Sequence, residues 1–450
     1  MRRPSFLQSR CPRTEASRGA PRSRRIPVSR QILEPRGPTG SLVLSSTMRL
    51  APDDTELEQT EALVADVRRT PKAYASPAAL ARRLGKPATK VSELLRQHYH
   101  ASPEDLLLQA RRSSARDLLR RSGATPSEAA AEVGARSAAG FERDFRRSCG
   151  LDPSDYAALG TARRIVLSLP NGYPVHYLKR SLGRDADSVS ERLEGDDYRA
   201  AVQIGPELSL IHLRFSPARV SVEWTGGDGY AVHALVVGLL GLQQNAAGFV
   251  RVARRAGLSR LTNGRAELRI VQTPSVYEGL LWAIIGQQIN LPFAFALRRR
   301  LFELVGQRVP GGALIAAPMP EAVARLEPAD LLPLQFSRQK ADYLIGVSRR
   351  IASGELPLET LRSQSATRVE RILLTQRGIG PWSVNYLMMR SLGFGDCVPV
   401  GDTGLTSGLQ RLLRLEERPD AKTTLRLMEV FAPYRSLATA HLWASKQPLP

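Results

Sequence analysis

The stretch LLTQRGIGPWSVNYLMMR, residues 373–390, decides the fold of the C-terminal half of this sequence. Its first residues are typical of a helix that ends before Gly378-Ile379-Gly380, and the glycine pair predicts a tight hairpin. Pro381 then fits the first turn of a second helix, where its missing N–H is not needed. The sequence therefore predicts two helices joined by a short hairpin.

The hairpin also has the features of an anion site. Gly378, Ile379 and Gly380 allow another chain to approach closely, and the amides that open the second helix face an anion, which the helix dipole favours. Arg377 adds a positive charge. A phosphate of the DNA backbone is the natural ligand, bound without regard to base sequence. Taken alone, the turn fits an ordinary connection between two packed helices equally well.

An acidic residue and two aromatic residues lie near the hairpin. Asp402 stands in CVPVGDTGL (397–405), at the start of a predicted helix, where a helix N-cap is its common structural role. Trp382 and Tyr386 are four residues apart on the second hairpin helix, so their rings share one face. Core packing is the alternative role for both rings.

Composition favours a polyanionic partner. Lys and Arg number 64 against 43 Asp and Glu, a net charge of +21, although a genomic bias toward Arg and Ala explains the surplus equally well. A chain of 450 residues is long enough for roughly two to four domains. No apolar stretch reaches the length of a membrane span, so we expect no membrane contact.

The cysteines and histidines argue against a metal. Cys11, Cys149 and Cys397 are far apart and odd in number, so neither a disulfide framework nor a zinc site is predicted. His98 and His100 lie two residues apart, the wrong spacing for one helix face. We therefore expect no metal, no iron–sulfur cluster and no other cofactor.

The N-terminal residues 1–50 differ in composition from the rest. Residues 1–47 hold ten Arg but only Glu15 and Glu34 as acids, with much Ser and Pro, a composition typical of disorder. One explanation is a start codon assigned too early, with Met48 as the true initiator. The other is a basic arm that scans DNA. We favour the first.

Residues 51–160 have helical apolar spacing, which predicts two helix-turn-helix units joined by a long helix. The segment AAAEVGARSAAGFERDFRRSCGLDPSDY (129–156) has a small residue, a glycine, two aromatics four apart, a basic pair and a final G-x-x-P-x-x-Y. It resembles the DNA-binding domain of AraC-type regulators, with a plain helical bundle as the alternative. The resemblance implies recognition helices near 89–98 and 137–147. The basic residues then expected to contact operator DNA, unless they are merely solvated, are Lys90, Arg96, Arg136, Arg143 and Arg146.

The middle of the chain predicts a sheet, and the remainder predicts helices. Between 163 and 224 the apolar period is two, which predicts a small antiparallel sheet with a helix near 176–194. From 232 to 446 the helical period returns. Helices are predicted near 232–243, 246–256, 274–287, 291–305, 319–326, 338–351, 357–361, 366–375, 381–392, 402–414, 421–431 and 434–444.

Four segments resemble the helix-hairpin-helix DNA glycosylase superfamily, and within it most of all the bacterial type II 3-methyladenine (alkylbase) glycosylases. The small sheet domain also occurs in that branch, so the resemblance covers about 163–446. The four segments are AIIGQQ (283–288), GIGPWSVNYLMMR (378–390), VPVGDTGL (398–405) and APYRSLATAHLW (432–443).

The resemblance implies roles for individual residues. Asp402 matches the catalytic aspartate, which stabilises positive charge on the sugar or orients the attacking water. Gln288 matches the wedge that fills the gap left by a flipped base, although relatives often carry Leu there. The residues that match the base pocket are Trp382, Tyr386, Trp443 and Gln287, and those that match the phosphate grip are Arg377, Gly378, Ile379 and Gly380.

One departure bears on the reaction. Superfamily members with lyase activity carry a lysine in the second hairpin helix. Here Trp382 and Ser383 occupy that stretch, and no lysine lies between 341 and 421. Because a Schiff base needs an amine nucleophile, we expect no strand cleavage.

The sequence thus predicts a multi-domain, mainly α protein. We expect a basic tail (1–50), an AraC-type double helix-turn-helix domain (51–160), a small α+β antiparallel-sheet domain (161–231) and an all-α helix-hairpin-helix glycosylase domain (232–450).

The predicted function is excision of alkylated purines from double-stranded DNA by base flipping, carried out by a monomer that also binds operator DNA. The alternative is an AraC-type transcription regulator whose glycosylase-like half only senses DNA or a ligand, although a sensor would not need Asp402. A glycosylase for oxidised or mismatched bases is disfavoured, because the lyase lysine and the cluster cysteines are missing.

Overall fold

The computed structural model describes residues 54–121 and 123–445, all of which belong to one unit, Ser46–Pro450. The basic segment 1–50, and with it the choice between Met1 and Met48, lies outside the described residues. The predicted fold class is confirmed: helices dominate, and one small antiparallel sheet stands in the middle of the chain. None of the described helices is long and apolar enough to cross a membrane.

The N-terminal helices form two helix-turn-helix units around the long helix α4. The two predicted recognition helices correspond to α3 and α6. Gly85 and Gly150 end α2 and α6 in the left-handed conformation, and Ser137 caps α6 through its side chain. The helices are α1 (Asp54–Arg69), α2 (Pro77–Leu84), α3 (Ala88–Tyr99), α4 (Pro103–Arg121), α5 (Pro126–Glu132), α6 (Ala138–Cys149) and α7 (Pro153–Ala157).

The sheet has five antiparallel strands in the order β1-β5-β4-β3-β2. Alternate residues face the core, so that Leu213 pairs with Val222 in register and both are buried. The strands are β1 (Arg164–Ser168), β2 (Glu191–Glu194), β3 (Asp197–Ile204), β4 (Glu207–Phe215) and β5 (Arg219–Trp224).

The helix predicted near 176–194 is wrong in its second half. Helix α8 spans Val175–Leu182, and the Gly183 N–H donates to the Lys179 carbonyl to end it. Asp185 then pairs with Arg299, an ion pair across the fold that local spacing does not show. The chain enters β2 soon afterwards, because tertiary contacts override helix propensity there.

One hydrophobic core runs from the second helix-turn-helix unit into the sheet. Phe145, Cys149 and Tyr156 are buried in the same cluster as Leu167 and Val220 of the sheet. The first unit has its own cluster, which includes Leu80, Leu95 and Leu106. The predicted domain boundary at 160 therefore lies inside a shared core.

The C-terminal half is helical, as predicted. Two features have no counterpart among the predicted elements: a short hairpin of β6 (Gln307–Arg308) and β7 (Ile315–Ala316), and the continuation of α17 as a π-helix, Met388–Leu392. The helices are α9 (Gly229–Leu240), α10 (Ala246–Arg255), α11 (Val276–Ile285), α12 (Leu291–Val305), α13 (Pro320–Ala324), α14 (Pro328–Leu331), α15 (Arg338–Ala352), α16 (Ala366–Leu374), α17 (Pro381–Leu387), α18 (Thr403–Leu413), α19 (Ala421–Met428) and α20 (Arg435–Ala444).

Candidate active site

The predicted hairpin joins α16 to α17. Its two glycines differ in whether the fold requires a glycine at that position. Gly378 has φ +85°, and a Cβ there would lie 2.2 Å from the ring of Tyr343, so only glycine fits. Gly380, the N-cap of α17, has φ −95°, and a Cβ there would meet nothing within 4 Å. The packing of the chain itself therefore does not require glycine at position 380.

The outer side of the hairpin is basic and open. Arg377 is exposed, with its guanidinium carbon 5.9 Å from the centroid of the Tyr343 ring. Ile379 is buried, and its N–H donates to the Gln376 carbonyl at 3.1 Å, so this residue holds the hairpin together. The Arg377 side chain and the Gly380 backbone remain on the exposed side.

Asp402 is the N-cap of α18, and its carboxylate is held from two directions. Oδ1 accepts a hydrogen bond from the Leu405 N–H at 2.7 Å and another from the indole Nε1 of Trp443 at 2.8 Å. Oδ2 accepts no hydrogen bond from residues 54–121 or 123–445. Asp402 is partly exposed, so one oxygen of a fixed carboxylate is left for another molecule.

The three predicted pocket aromatics form one cluster beside this carboxylate. Trp382 and Tyr386 stack with ring centroids 5.1 Å apart and planes inclined by 22°. Tyr386 and Trp443 are 6.4 Å apart and inclined by 43°. All three side chains are partly exposed, so they do not belong to the buried core.

Gln287 and Gln288 lie in the loop after α11, which contacts the hairpin. The Gln287 amide donates to the Gly378 carbonyl at 2.8 Å and to the Ser383 hydroxyl at 3.0 Å, so it bridges the loop and the hairpin. Gln288 is exposed and has φ +57°, a left-handed conformation that a non-glycine residue seldom adopts. The loop therefore presents Gln288 outward from a fixed base.

Lys340 holds this loop from the other side, a role that the sequence analysis did not detect. Its ammonium donates to the carbonyls of Ile285 at 2.6 Å, Gln287 at 2.7 Å and Ile284 at 3.3 Å. Burial lowers the pKa of Lys340 to about 8. No motif marks this residue, because its partners are backbone atoms more than fifty positions away along the chain.

Asn385 was also missed. Its amide donates to the Pro381 carbonyl at 3.0 Å, and its Oδ1 accepts the Val398 N–H at 3.0 Å. These bonds tie α17 to the loop that leads to Asp402. The sequence does not predict this contact, because an asparagine within a predicted helix does not indicate which distant backbone atoms it will bind.

Comparisons with known proteins agree with this geometry. Residues 281–433 match the family described as HhH-GPD superfamily base excision DNA repair protein, and residues 80–158 match a helix-turn-helix domain family. The chain carries a HhH-GPD domain. An AraC-type helix-turn-helix domain precedes it.

Two curated relatives are similar over different lengths. DNA-3-methyladenine glycosylase of Bacillus subtilis (strain 168) is 36% identical over 178 residues, which are 39% of this chain and 59% of that protein. The chain thus spans less than two thirds of that relative. The probable bifunctional transcriptional activator/DNA repair enzyme AlkA of Mycobacterium tuberculosis (strain ATCC 25618 / H37Rv) is 25% identical over 385 residues, 81% of this chain and 76% of its own length.

A solved structure shares the fold over 63% of this chain. The 3-methyladenine DNA-glycosylase from Archaeoglobus fulgidus aligns with a TM-score of 0.56 at 22% identity, covering 63% of this chain and 98% of that one. At this identity the likeness shows the fold.

The predicted DNA contacts of the helix-turn-helix domain lie in two different settings. Lys90 and Arg96 on α3 both pair with carboxylates, those of Glu56 and Glu429. On the other unit, Arg136, Arg143 and Arg146 are exposed, and Arg146 pairs with Asp152.

No group of three or more His, Cys, Asp or Glu that could hold a metal occurs in the part of the chain that the structure describes. The Cys149 and Cys397 thiols are free and buried.

Proposed function

We propose that this chain is a DNA glycosylase that hydrolyses the N-glycosidic bond of alkylated purines of the 3-methyladenine type. The observation that carries the proposal is the position of Asp402. Its Oδ1 is held by Trp443, its Oδ2 is left for another molecule, and the aromatic cluster stands beside it.

The chemistry follows from charge. A base must leave the duplex stack before its glycosidic bond can be reached. Breaking that bond builds positive charge on the sugar, which a fixed carboxylate stabilises while a water attacks. Alkylated purines are often cationic and therefore good leaving groups, so Asp402 requires no partner acid.

The aromatic cluster suits such a base. A cationic purine over the stacked rings of Trp382 and Tyr386 gains cation–π attraction of about 0.5–2 kcal/mol per ring. An undamaged purine carries no such charge. The cluster therefore favours the alkylated base by electrostatics, in addition to stacking.

The hairpin and the loop after α11 supply the grip on DNA in this proposal. Arg377 and the backbone at Gly380 bind a phosphate of the DNA backbone, whatever the base sequence around it. Gln288, exposed on its left-handed turn, enters the stack where the flipped base has left. Its amide can hydrogen-bond to the unpaired partner base, which an apolar wedge cannot do.

We also propose that the chain leaves the DNA strand intact. Lys340 is the lysine nearest in sequence to the hairpin, and its three N–H donors are directed to three backbone carbonyls. A side-chain nitrogen held by three backbone carbonyls of a loop is not free to attack the sugar carbon. Asp402 can assist only a water, so the product is an abasic site.

The experiment is to incubate the full chain with duplex DNA treated with dimethyl sulfate and to identify the released bases by chromatography. We expect free 3-methyladenine, strand breaks only after alkali, and no covalent complex after borohydride. Released oxidised bases instead of alkylated ones would contradict the substrate class. A trapped adduct would contradict the hydrolytic mechanism.

A second proposed function, regulation of transcription, is supported by the helix-turn-helix match at 80–158 and by the exposed arginines of α6. Here the chain would bind operator DNA as a monomer in the bacterial nucleoid. Selection of bound fragments from random duplexes tests this role. A shared sequence among the fragments supports it, and unselected fragments contradict it.

A further inference from the structure

The first helix-turn-helix unit, α2 and α3, lies against the HhH-GPD domain. Helix α3 packs on α16, the helix that leads into the hairpin. His98 of α3 is completely buried, and its Nδ1 lies 2.9 Å from the hydroxyl of Thr367 on α16. His100, directly after α3, lies 3.6 Å from the Cys397 thiol. One face of the C-terminal half of α3 is therefore buried against the HhH-GPD domain.

Helix α1 extends the same contact along α16. The Glu61 carboxylate accepts two hydrogen bonds from the Arg368 guanidinium, at 2.6 and 3.0 Å, and a third from the Ser365 hydroxyl at 2.7 Å. Asp54 pairs with Arg371 at 2.7 Å, one turn further along α16. Bidentate pairing of this kind fixes orientation as well as adding energy.

The positive charges of α3 are already neutralised. The Lys90 ammonium lies 3.1 Å from Glu56 and 4.0 Å from Glu93. Arg96 pairs with Glu429 of the HhH-GPD domain at 2.7 Å. Binding to DNA depends on cations that neutralise phosphates, and both cations of α3 are already paired with carboxylates. The exposed Glu93 carboxylate in addition repels phosphates. The surface of α3 is therefore poorly suited to a duplex.

The second unit retains unpaired positive charge, although the Arg146 and Arg147 side chains of α6 are ion-paired. Arg136 and Arg143 are exposed and form no ion pair with the residues described in the structure. The helix opens with Ala138, Ala139 and Gly140, small residues that let a duplex approach its N-terminus. The two helices, equivalent by sequence pattern, therefore differ in unpaired positive charge, although both expose their N-terminal residues.

We propose that the first helix-turn-helix unit is a docking module for the HhH-GPD domain, and that α6 alone of the two recognition helices contacts duplex DNA. Helix α3 thus binds a protein surface, α16 and Glu429, instead of a major groove. This inference goes beyond the proposed function and does not depend on glycosylase activity. It also narrows the predicted operator contacts to those of the second unit, Arg136, Arg143 and Arg146.

Hydrogen exchange on the full chain, with and without a lesion-free duplex, tests the proposal directly. We expect the duplex to slow exchange of the α6 amides while leaving those of α3 unchanged. Slower exchange in α3 on addition of DNA would overturn the proposal, as would unchanged exchange in α6.

Two matched variants separate DNA contact from docking. Arg143→Gln on α6 should reduce the slope of log affinity against log salt by about one, without changing Tm. Arg96→Gln on α3 should leave affinity within about twofold while lowering Tm by about 1–3 °C. Because Glu429 also pairs with Arg435 at 3.1 Å, the reference for the double variant is Glu429→Gln alone, and adding Arg96→Gln to that variant should cost little more. An Arg96→Gln variant with the salt slope of Arg143→Gln and an unchanged Tm would overturn the proposal.

Discussion

The indole Nε1 of Trp443 donates a hydrogen bond to Oδ1 of Asp402 at 2.8 Å. This bond joins the end of α20 to the first turn of α18 and fixes the plane of the carboxylate. The same Oδ1 caps α18 through the Leu405 N–H, so both hydrogen bonds from the described residues fall on one oxygen of the carboxylate. In the proposed reaction, Trp443 is both a wall of the base pocket and a positioning residue for Asp402.

Trp443→Phe should keep most of the aromatic wall but remove the hydrogen bond. Because hydrogen bonds to charged groups are worth about 1.5–3 kcal/mol, we expect base release under single-turnover conditions to slow by about tenfold or more, with little change in affinity for damaged duplex. Trp224→Phe is the matched control, since the buried Trp224 Nε1 has no partner among the described residues. Equal rates for both variants would contradict the positioning role.

The hairpin glycines allow a paired test. Gly378→Ala should destabilise the fold by more than about 2 kcal/mol, because of its positive φ and the clash with Tyr343. Gly380→Ala should change stability by less than about 1 kcal/mol, since φ is ordinary and the space is empty. We expect Gly380→Ala nevertheless to weaken binding to damaged and undamaged duplexes alike. Thermal unfolding and fluorescence anisotropy measure the two effects, and unaltered DNA binding by Gly380→Ala would show that no phosphate approaches there.

Lys340→Met should loosen the loop that carries Gln287 and Gln288. We expect slower base flipping, which the fluorescence of 2-aminopurine in the duplex measures. We also expect slower base release. Arg338→Met, which removes an exposed charge from the same helix, should change neither rate. With the pKa of Lys340 lowered to about 8, the ammonium loses a donor as pH rises through 8. The wild-type rate should therefore fall between pH 7 and 9, and the Lys340→Met rate should not show that fall.

Truncation tests the shared core. A fragment covering 161–450 lacks Phe145, Cys149 and Tyr156, which are buried against the sheet. Since loss of one large buried side chain costs about 3–5 kcal/mol, we expect this fragment to be unfolded or to melt far below the full chain. A fragment covering 103–450 keeps those residues and should retain cooperative unfolding. Equal melting temperatures for 161–450 and the full chain would mean that the sheet needs no support from α6 and α7.

The parts of the site that could be predicted from sequence follow local rules. Pro381 after Gly380 specifies a hairpin and a helix start, and the spacing of Trp382 and Tyr386 puts their rings on one face. The bond between Asp402 and Trp443 joins residues 41 positions apart, so local pattern gives only the N-cap role of Asp402. The resemblance to known glycosylases implies that both residues belong to the site, but it does not predict the hydrogen bond between them.

The features that the sequence does not specify depend on tertiary contacts. The helix expected to reach 194 ends at Leu182, and Asp185 beyond it pairs with Arg299 from a distant helix, a contact that local spacing does not show. The docking of α3 likewise rests on contacts such as Arg96 with Glu429, more than three hundred residues apart. A recognition-helix pattern describes the shape of α3 but does not specify what covers it.

The most direct test of the glycosylase proposal is base release by Asp402→Asn. Asparagine keeps the N-cap and the acceptor for Trp443 but removes the charge, so the fold and the binding of damaged duplex should be preserved. We expect the single-turnover release of 3-methyladenine from methylated duplex to fall by at least about 100-fold relative to wild type. Release by Asp402→Asn at the wild-type rate would contradict the assignment of Asp402 and the mechanism built on it.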